Sequence, residues 1–221
     1  MKKLGIIGGA GPLASALFYE TLVHESYRLG QAPPEMLIIN YPFHRGLTPK
    51  ESQHNGGLVR EELSHCLKAL ETGGATVGVL VCNTLHLELA HLPQEKVRFL
   101  RIPDLVLDAI DENQGKRLLL LATQNTCLSS LYDQRGLTLL RPSSAGQKIV
   151  DEVIDRILAG HILAQDARAI EEIIRNVPEE IDGIILGCTD LPVLHHHFPL
   201  STTRPIYDSI KIPAKRVLRF L

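Results

Sequence analysis

The stretch "KLGIIGGAGPLASALFYE", residues 3–20, decides how the rest of the chain is read. Lys3 to Ile7 is a short apolar run of buried-strand type, "GGAGP" is a turn, and an amphipathic run from Leu13 to about Leu29 follows, with Gly30 as its stop. Pro12 suits the first position of that helix, where its missing N–H costs nothing. The strand, glycine turn and helix set a pattern that recurs. Strands are expected near Met36–Asn40, Thr76–Val81, Phe99–Ile102, Arg117–Ala122 and Gly183–Leu186, with helical stretches such as Leu58–Leu70 and Ile149–Leu158 between them. Alternation of this kind predicts an α/β fold with parallel sheets flanked by helices.

The pattern also runs twice. "GVLVCNTLH" (78–86) is an apolar strand that breaks at Cys82, and "GIILGCTDLP" (183–192) is another that breaks at Cys188. In open parallel sheets ligands bind beyond the carboxyl ends of the strands, so both thiols fall where chemistry is expected. If each half of this faint duplication is its own small α/β domain, the two thiols can face each other across the cleft between them; the division expected is 1–103 with the C-terminal segment 205–221, and 104–204. A stereocentre that loses its proton on one face and regains it on the other needs two groups, each able to be acid and base. A thiol, whose ordinary pKa of about 8.5 lies near neutral pH, suits that task. The polar residues after each strand, Asn83, Thr84 and Thr189, and the backbone amides there, would hold an anionic carboxylate.

The 221 residues carry 44% hydrophobic and 22% charged side chains and a formal charge of −2, which suits a globular protein with a small ligand and argues against a nucleic-acid or acidic-membrane partner. No apolar run approaches the roughly 20 residues needed to cross a bilayer, and the apolar stretch before Gly8 is too short for a signal segment, so a cytoplasmic setting is expected. The four cysteines, Cys66, Cys82, Cys127 and Cys188, form no C-x-x-C pair and read as free thiols, with Cys66 and Cys127 structural.

Four blocks carry a resemblance. "IIGGAGPLA" (6–14), "VCNTLH" (81–86), "GQKIVDEVI" (146–154) and "LGCTDLP" (186–192) resemble, in order and over essentially the whole chain, the signature blocks of the aspartate/glutamate racemase family. The resemblance implies a cofactor-independent amino-acid racemase acting on aspartate or glutamate, with two pseudo-symmetric α/β domains, a homodimer, and Cys82 and Cys188 as the catalytic pair. It implies substrate contacts from Gly9, Pro12, Asn83, Thr84, Leu85, Lys148 and Thr189, and from Thr123, which opens "TQNT" beyond the strand at 117–122. The arginine for the distal carboxylate falls to Arg45 in "YPFHRGLTPK" (41–50). The chain departs from the family pattern at Ala10, where Met is usual, at Leu85, where Ala is usual, and at Asp190, where Glu is usual. Related enzymes isomerise maleate, racemise hydantoins or decarboxylate arylmalonates, some with a single cysteine, so two retained cysteines favour racemisation. The reading from another class is a non-catalytic amino-acid or nucleotide sensor.

Three other features admit rival readings. "GAGPLA" (9–14) fits a dinucleotide turn, but the second strand ends in Asn40 instead of the acid that would grip a ribose, so the loop reads as a carboxylate-binding turn. His195, His196 and His197 cannot converge on one metal ion from consecutive positions and read as a surface helix end. His86 either tunes the nearby thiol or packs, and Asp190 either orients a group near Cys188 or caps the next turn.

Overall fold

The computed structural model describes residues 2–43, 49–93, 96–177 and 180–221, with 49–55 by backbone alone. Strand β1 (Leu4–Gly8) is buried along its whole length, as expected of a strand covered on both faces. After the glycine turn, α1 (Pro12–Arg28) begins on Pro12 and stops where Gly30, at φ +70°, takes the left-handed conformation that closes a helix end. The chain continues through β2 (Met36–Asn40), α2 (Pro49–Thr72), β3 (Val77–Leu80), α3 (His86–Leu89), β4 (Arg98–Phe99) and α4 (Ile102–Glu112). It then repeats the design with β5 (Arg117–Leu121), α5 (Gln124–Leu128), β6 (Thr138–Leu140), α6 (Ser144–Leu158), α7 (Ala164–Arg175), β7 (Gly183–Leu186), α8 (Asp190–His197), β8 (Ile206–Asp208) and α9 (Lys211–Val217).

These strands make two parallel four-stranded sheets of the same order, β2-β1-β3-β4 and β6-β5-β7-β8. The duplication expected from the two cysteine segments is therefore a duplication of topology. Two sequence expectations shift. The strand expected over 99–102 ends at Phe99, because Ile102-Pro103 opens α4, where a residue without an N–H is tolerated in the first turn. Residues 206–208, expected with the first half as part of 205–221, pair in parallel with β7 and extend the second sheet. The next helix does turn back toward the first half, since α9 packs against α1 as well as α4.

The side chains of β1 and β3 alternate between two cores. Leu4, Ile6, Val77 and Val79 join a core that runs on into Leu118–Leu121, Ile184–Leu186 and α6, while Ile7, Leu80 and Cys82 face Val59, Leu63 and Leu70 of α2. The larger core passes from one sheet to the other without interruption, so the two halves share apolar packing and their facing strand ends are fixed relative to each other.

Candidate functional site

In a sheet of order 2-1-3-4 the connections leave β1 and β3 in opposite directions, which opens a crevice at their carboxyl ends. The "GGAGP" loop leaves β1 there, and Cys82 lies two residues past β3. In the second sheet Thr123 lies two residues past β5, and Cys188 two past β7. The cysteines thus occupy the same topological position in each half.

The glycine loop is shaped by contacts that allow nothing larger. Gly9 sits at φ +105°, and a Cβ there would strike the Tyr41 backbone. Ser15 closes the loop, its hydroxyl accepting the Gly9 N–H at 3.0 Å and donating to the Gly11 carbonyl at 3.0 Å. The Gly9 amide is therefore committed within the loop. At Gly11 a Cβ would lie 2.5 Å from Asp190 Oδ1, so the loop of the first half rests on the carboxylate that follows Cys188 in the second. Pro12, as expected, sits in the first turn of α1.

Both thiols are 8% exposed. Burial pushes Cys82 up to about 12, with the charge of Asp190 adding to it, while the backbone N–H groups of Leu85 and Thr84 act the other way by donating toward the sulfur. Burial also holds Cys188 well above the usual thiol range, followed by the charge of Asp190 and, beyond the opposing Asp190 N–H, by the Cys82 thiolate itself. Cys188 donates its S–H to Asp190 Oδ2 at 3.5 Å. The two sulfurs and one carboxylate therefore form a single electrostatic cluster, protonated at both thiols near neutral pH. Cys66 is buried in the core, and Cys127, with its S–H directed at the Ala122 carbonyl at 3.7 Å, belongs to the packing too.

Beside the turn that carries Cys82 runs a seam of polar side chains from both halves. Thr84, Thr123 and Thr126 form a triangle of hydroxyls with edges of 3.1, 3.0 and 3.2 Å. Thr123 also caps α5 by accepting the Thr126 N–H. Sequence reading named Thr84 and Thr123 and missed Thr126, although its position three residues after a threonine N-cap was a usable signal. The side chain of Asn83 is committed to protein: its Oδ1 accepts from Tyr132 at 2.7 Å and its Nδ2 donates to Ser209 at 3.2 Å. Leu85 is a core residue beneath α3 and meets Cys82 through its amide. Thr189 is buried at the start of α8.

His86 is resolved by its hydrogen bonds. The carbonyl of Cys82 can only accept, so Nδ1 carries the proton at 2.7 Å, and Nε2 is the lone-pair nitrogen that accepts the Ile102 N–H at 3.3 Å. Burial lowers its pKa to about 4. A neutral ring with both nitrogens bound to backbone pins the Cys82 turn and has no nitrogen left for the reaction. Asp190 lies at the first position of α8 and contacts the thiol, so it is oriented on Cys188.

Lys148 is not brought to the strand ends. Its side chain is 79% exposed on α6, with the ammonium 3.9 Å from Glu152 one turn on. The residue of its block that reaches the sheet is Gln147, which donates to the Ala122 carbonyl at 2.9 Å. Arg45 lies outside the described residues. His195, His196 and His197 form the last turn of α8, and among the described residues no group of three metal-ligating side chains converges. No described helix is long and apolar enough to cross a membrane.

The sequence model of the Asp/Glu/hydantoin racemase family matches residues 7–217. An aspartate racemase homologue from Pyrococcus horikoshii is 26% identical, with a TM-score of 0.74 over 100% of this chain and 99% of its own. Picrophilus torridus aspartate racemase is 23% identical, with a TM-score of 0.80 over 100% and 94% of the two chains. A glutamate racemase isoform from Bacillus anthracis, at 16% identity, has the same fold, with a TM-score of 0.71 over 100% and 81%.

Proposed function

Because the chain belongs to the Asp/Glu/hydantoin racemase family, and is thereby an isomerase, we propose that it inverts the α-carbon of free aspartate or glutamate by a two-base reaction between Cys82 and Cys188. The observation that supports this reading is the placing of two buried cysteines at equivalent strand ends of two equivalent sheets. One sulfur, as thiolate, takes the α-proton from its face. The other, as thiol, returns a proton to the opposite face, and the roles exchange for the other enantiomer.

The resting thiols are protonated, so the reaction must first make a thiolate. Burial and Asp190 raise Cys82 to about 12, a cost of about 4 kcal/mol on the charged form. The backbone amides facing each sulfur offset part of it. The incoming α-ammonium offsets more, since a positive charge beside a sulfur favours its thiolate form. Asp190, already holding the Cys188 S–H, can take that proton as the ammonium arrives. A substrate with a cationic α-substituent is therefore favoured over maleate or an arylmalonate. The α-carboxylate is held by Thr84, Thr123 and Thr126, whose hydroxyls can turn from one another to donate to it. Arg45 is the candidate for the distal carboxylate. A homodimer and a cytoplasmic setting belong to the same proposal, supported by family membership.

The test is α-proton exchange and inversion of each enantiomer of aspartate and glutamate in heavy water, followed by NMR and chiral chromatography. Cys82→Ser and Cys188→Ser should each lose racemisation by roughly 10²–10⁴-fold. Each should keep residual exchange with one enantiomer, and the preferences should be opposite. Near-normal racemisation in both variants would refute the two-thiol reading, and absence of any exchange in the wild type would favour a sensor.

A further inference from the structure

Tyr132 lies in the loop between α5 and β6, fully buried, and touches the flank of each cysteine. Its hydroxyl donates to Asn83 Oδ1 at 2.7 Å, and Asn83 is the residue after Cys82. Its ring lies against the backbone of Gly187, the residue before Cys188: a Cβ at Gly187 would sit 3.3 Å from Tyr132 Cε2, as well as 2.7 Å from Leu120 Cδ1 and 3.2 Å from Ala122 Cβ. One rigid side chain thus spans from the turn that carries one thiol to the turn that carries the other. We propose that Tyr132 is a positioning residue that sets the spacing of the two thiols across the site, which deepens and rests on the two-thiol reading above.

The hydrogen bonding makes this span stiff. The other end of the Asn83 amide, Nδ2, is held by Ser209 Oγ, and since both partners are hydroxyls that can donate or accept, either orientation of the amide keeps a bond to Tyr132. Burial raises the phenol pKa, with the charges of Cys188 and Asp104 as lesser causes, so the hydroxyl stays a donor throughout the working range. Tyr132 and Ser209 belong to the half that carries Cys188, and Asn83 is the hook from the half that carries Cys82.

Spacing matters unequally to the two proton transfers. Removal of a proton by one thiolate needs that sulfur alone at its distance from the α-carbon, whereas inversion needs both sulfurs in range of the same carbon at once. Slack between the turns therefore slows delivery from the far side while the near side still exchanges. A displacement of about 1 Å can cost on the order of 10²-fold in rate.

Tyr132→Phe keeps the ring on Gly187 and removes the hook. Inversion should fall about tenfold or more, KM should stay within about twofold, and the ratio of solvent exchange to inversion should rise. Ser209→Ala, which leaves the Tyr132–Asn83 bond in place, should lower exchange and inversion together, if at all. Thermal unfolding checks that each variant is folded, and Asn83→Ala replaces Tyr132→Phe if the latter is not. A bis-alkylating bimane, fluorescent only when both its arms carry thiols, reads the spacing without substrate, with Cys82→Ser as the blank. It should cross-link the wild type and react several-fold more slowly with Tyr132→Phe. Equal cross-linking of the two, or exchange and inversion falling in proportion in Tyr132→Phe, would overturn the tether. A wild-type protein in which the bimane alkylates Cys82 and Cys188 singly, by peptide mass mapping, and never bridges them would overturn the facing thiols and the tether with them.

Discussion

Replacing Asp190 with Asn should make the thiols more reactive and the enzyme slower. Asp190 Oδ2 lies 3.5 Å from Cys188 Sγ. Two unit negative charges at that separation repel by about 5 kcal/mol at an effective dielectric near 20. Even a third of that, allowing for relaxation, is more than about 1.4 kcal/mol, or about tenfold in thiolate population at fixed pH. Asn removes the charge and keeps the shape, so the Cys188 pKa must fall, although not to the ordinary value, because burial is its larger cause. Cys82 should move the same way by less, since Asp190 stands behind burial and one amide contact among its causes. The assay is the alkylation rate of each cysteine by iodoacetamide from pH 7 to 10, resolved by peptide mass mapping, beside racemisation of the same samples. Alkylation of Cys188 should rise about tenfold or more at pH 8 while racemisation falls about 10²-fold, because Asn can neither take the thiol proton nor counter an ammonium. Racemisation that rises with the thiolate population would reduce Asp190 to an electrostatic brake, and unchanged alkylation would remove it from the field of either thiol.

Thr84→Val and Thr126→Val each remove one hydroxyl from the proposed carboxylate seat, worth about 1.5–3 kcal/mol for a bond to a charged group, so kcat/KM should drop roughly 10- to 150-fold; steady-state kinetics that leave it unchanged put the carboxylate elsewhere. Lys148→Ala should leave kcat/KM within about twofold, since its side chain is 79% exposed and its i,i+4 ion pair on α6 contributes at most about 1 kcal/mol to stability. His86 is neutral when folded, with its pKa lowered from 6.5 to about 4, so the unfolded chain binds the extra proton between those values and stability is lost as pH falls through that window, by up to about 3 kcal/mol from this residue. Urea unfolding at pH 7 and pH 4.5 should show that loss in the wild type and less of it in His86→Asn; equal slopes would mean that another group carries the pH dependence.

The fold was legible where burial on both faces leaves an unambiguous apolar run. Leu4–Ile7, Val77–Leu80, Leu118–Leu121 and Gly183–Leu186 are such runs, and each is a central strand. The strands not anticipated, Thr138–Leu140 and Ile206–Asp208, are three-residue edge strands only partly buried, too short to show a period. At the site, Cys82 and Cys188 were legible because each interrupts a strand at the same place. Tyr132 and Ser209 act through contacts with Asn83, far away in sequence, and no spacing rule reports such a contact. Lys148 shows the converse. It was expected at the site by resemblance, yet the side chains of an α-helix step by about 100°, and on α6 that step gives the inward position to its neighbour Gln147.

Duplication supplies the two faces that inversion requires, and the departure from duplication has its own consequence. Cys82 and Cys188 hold equivalent places, both buried, both protonated at rest, both faced by backbone amides. Such a resting state favours neither enantiomer. Asp190 breaks the equivalence, because it accepts the S–H of Cys188 and reaches Cys82 only through its field. Two enantiomers are equal in free energy in water, so kcat/KM must be the same in both directions whatever the protein does. The asymmetry at Asp190 can therefore appear only as a matched change in kcat and KM, with the direction that starts from a Cys188 thiolate differing from its reverse in how tightly it binds and, by the same factor, in how fast it turns over.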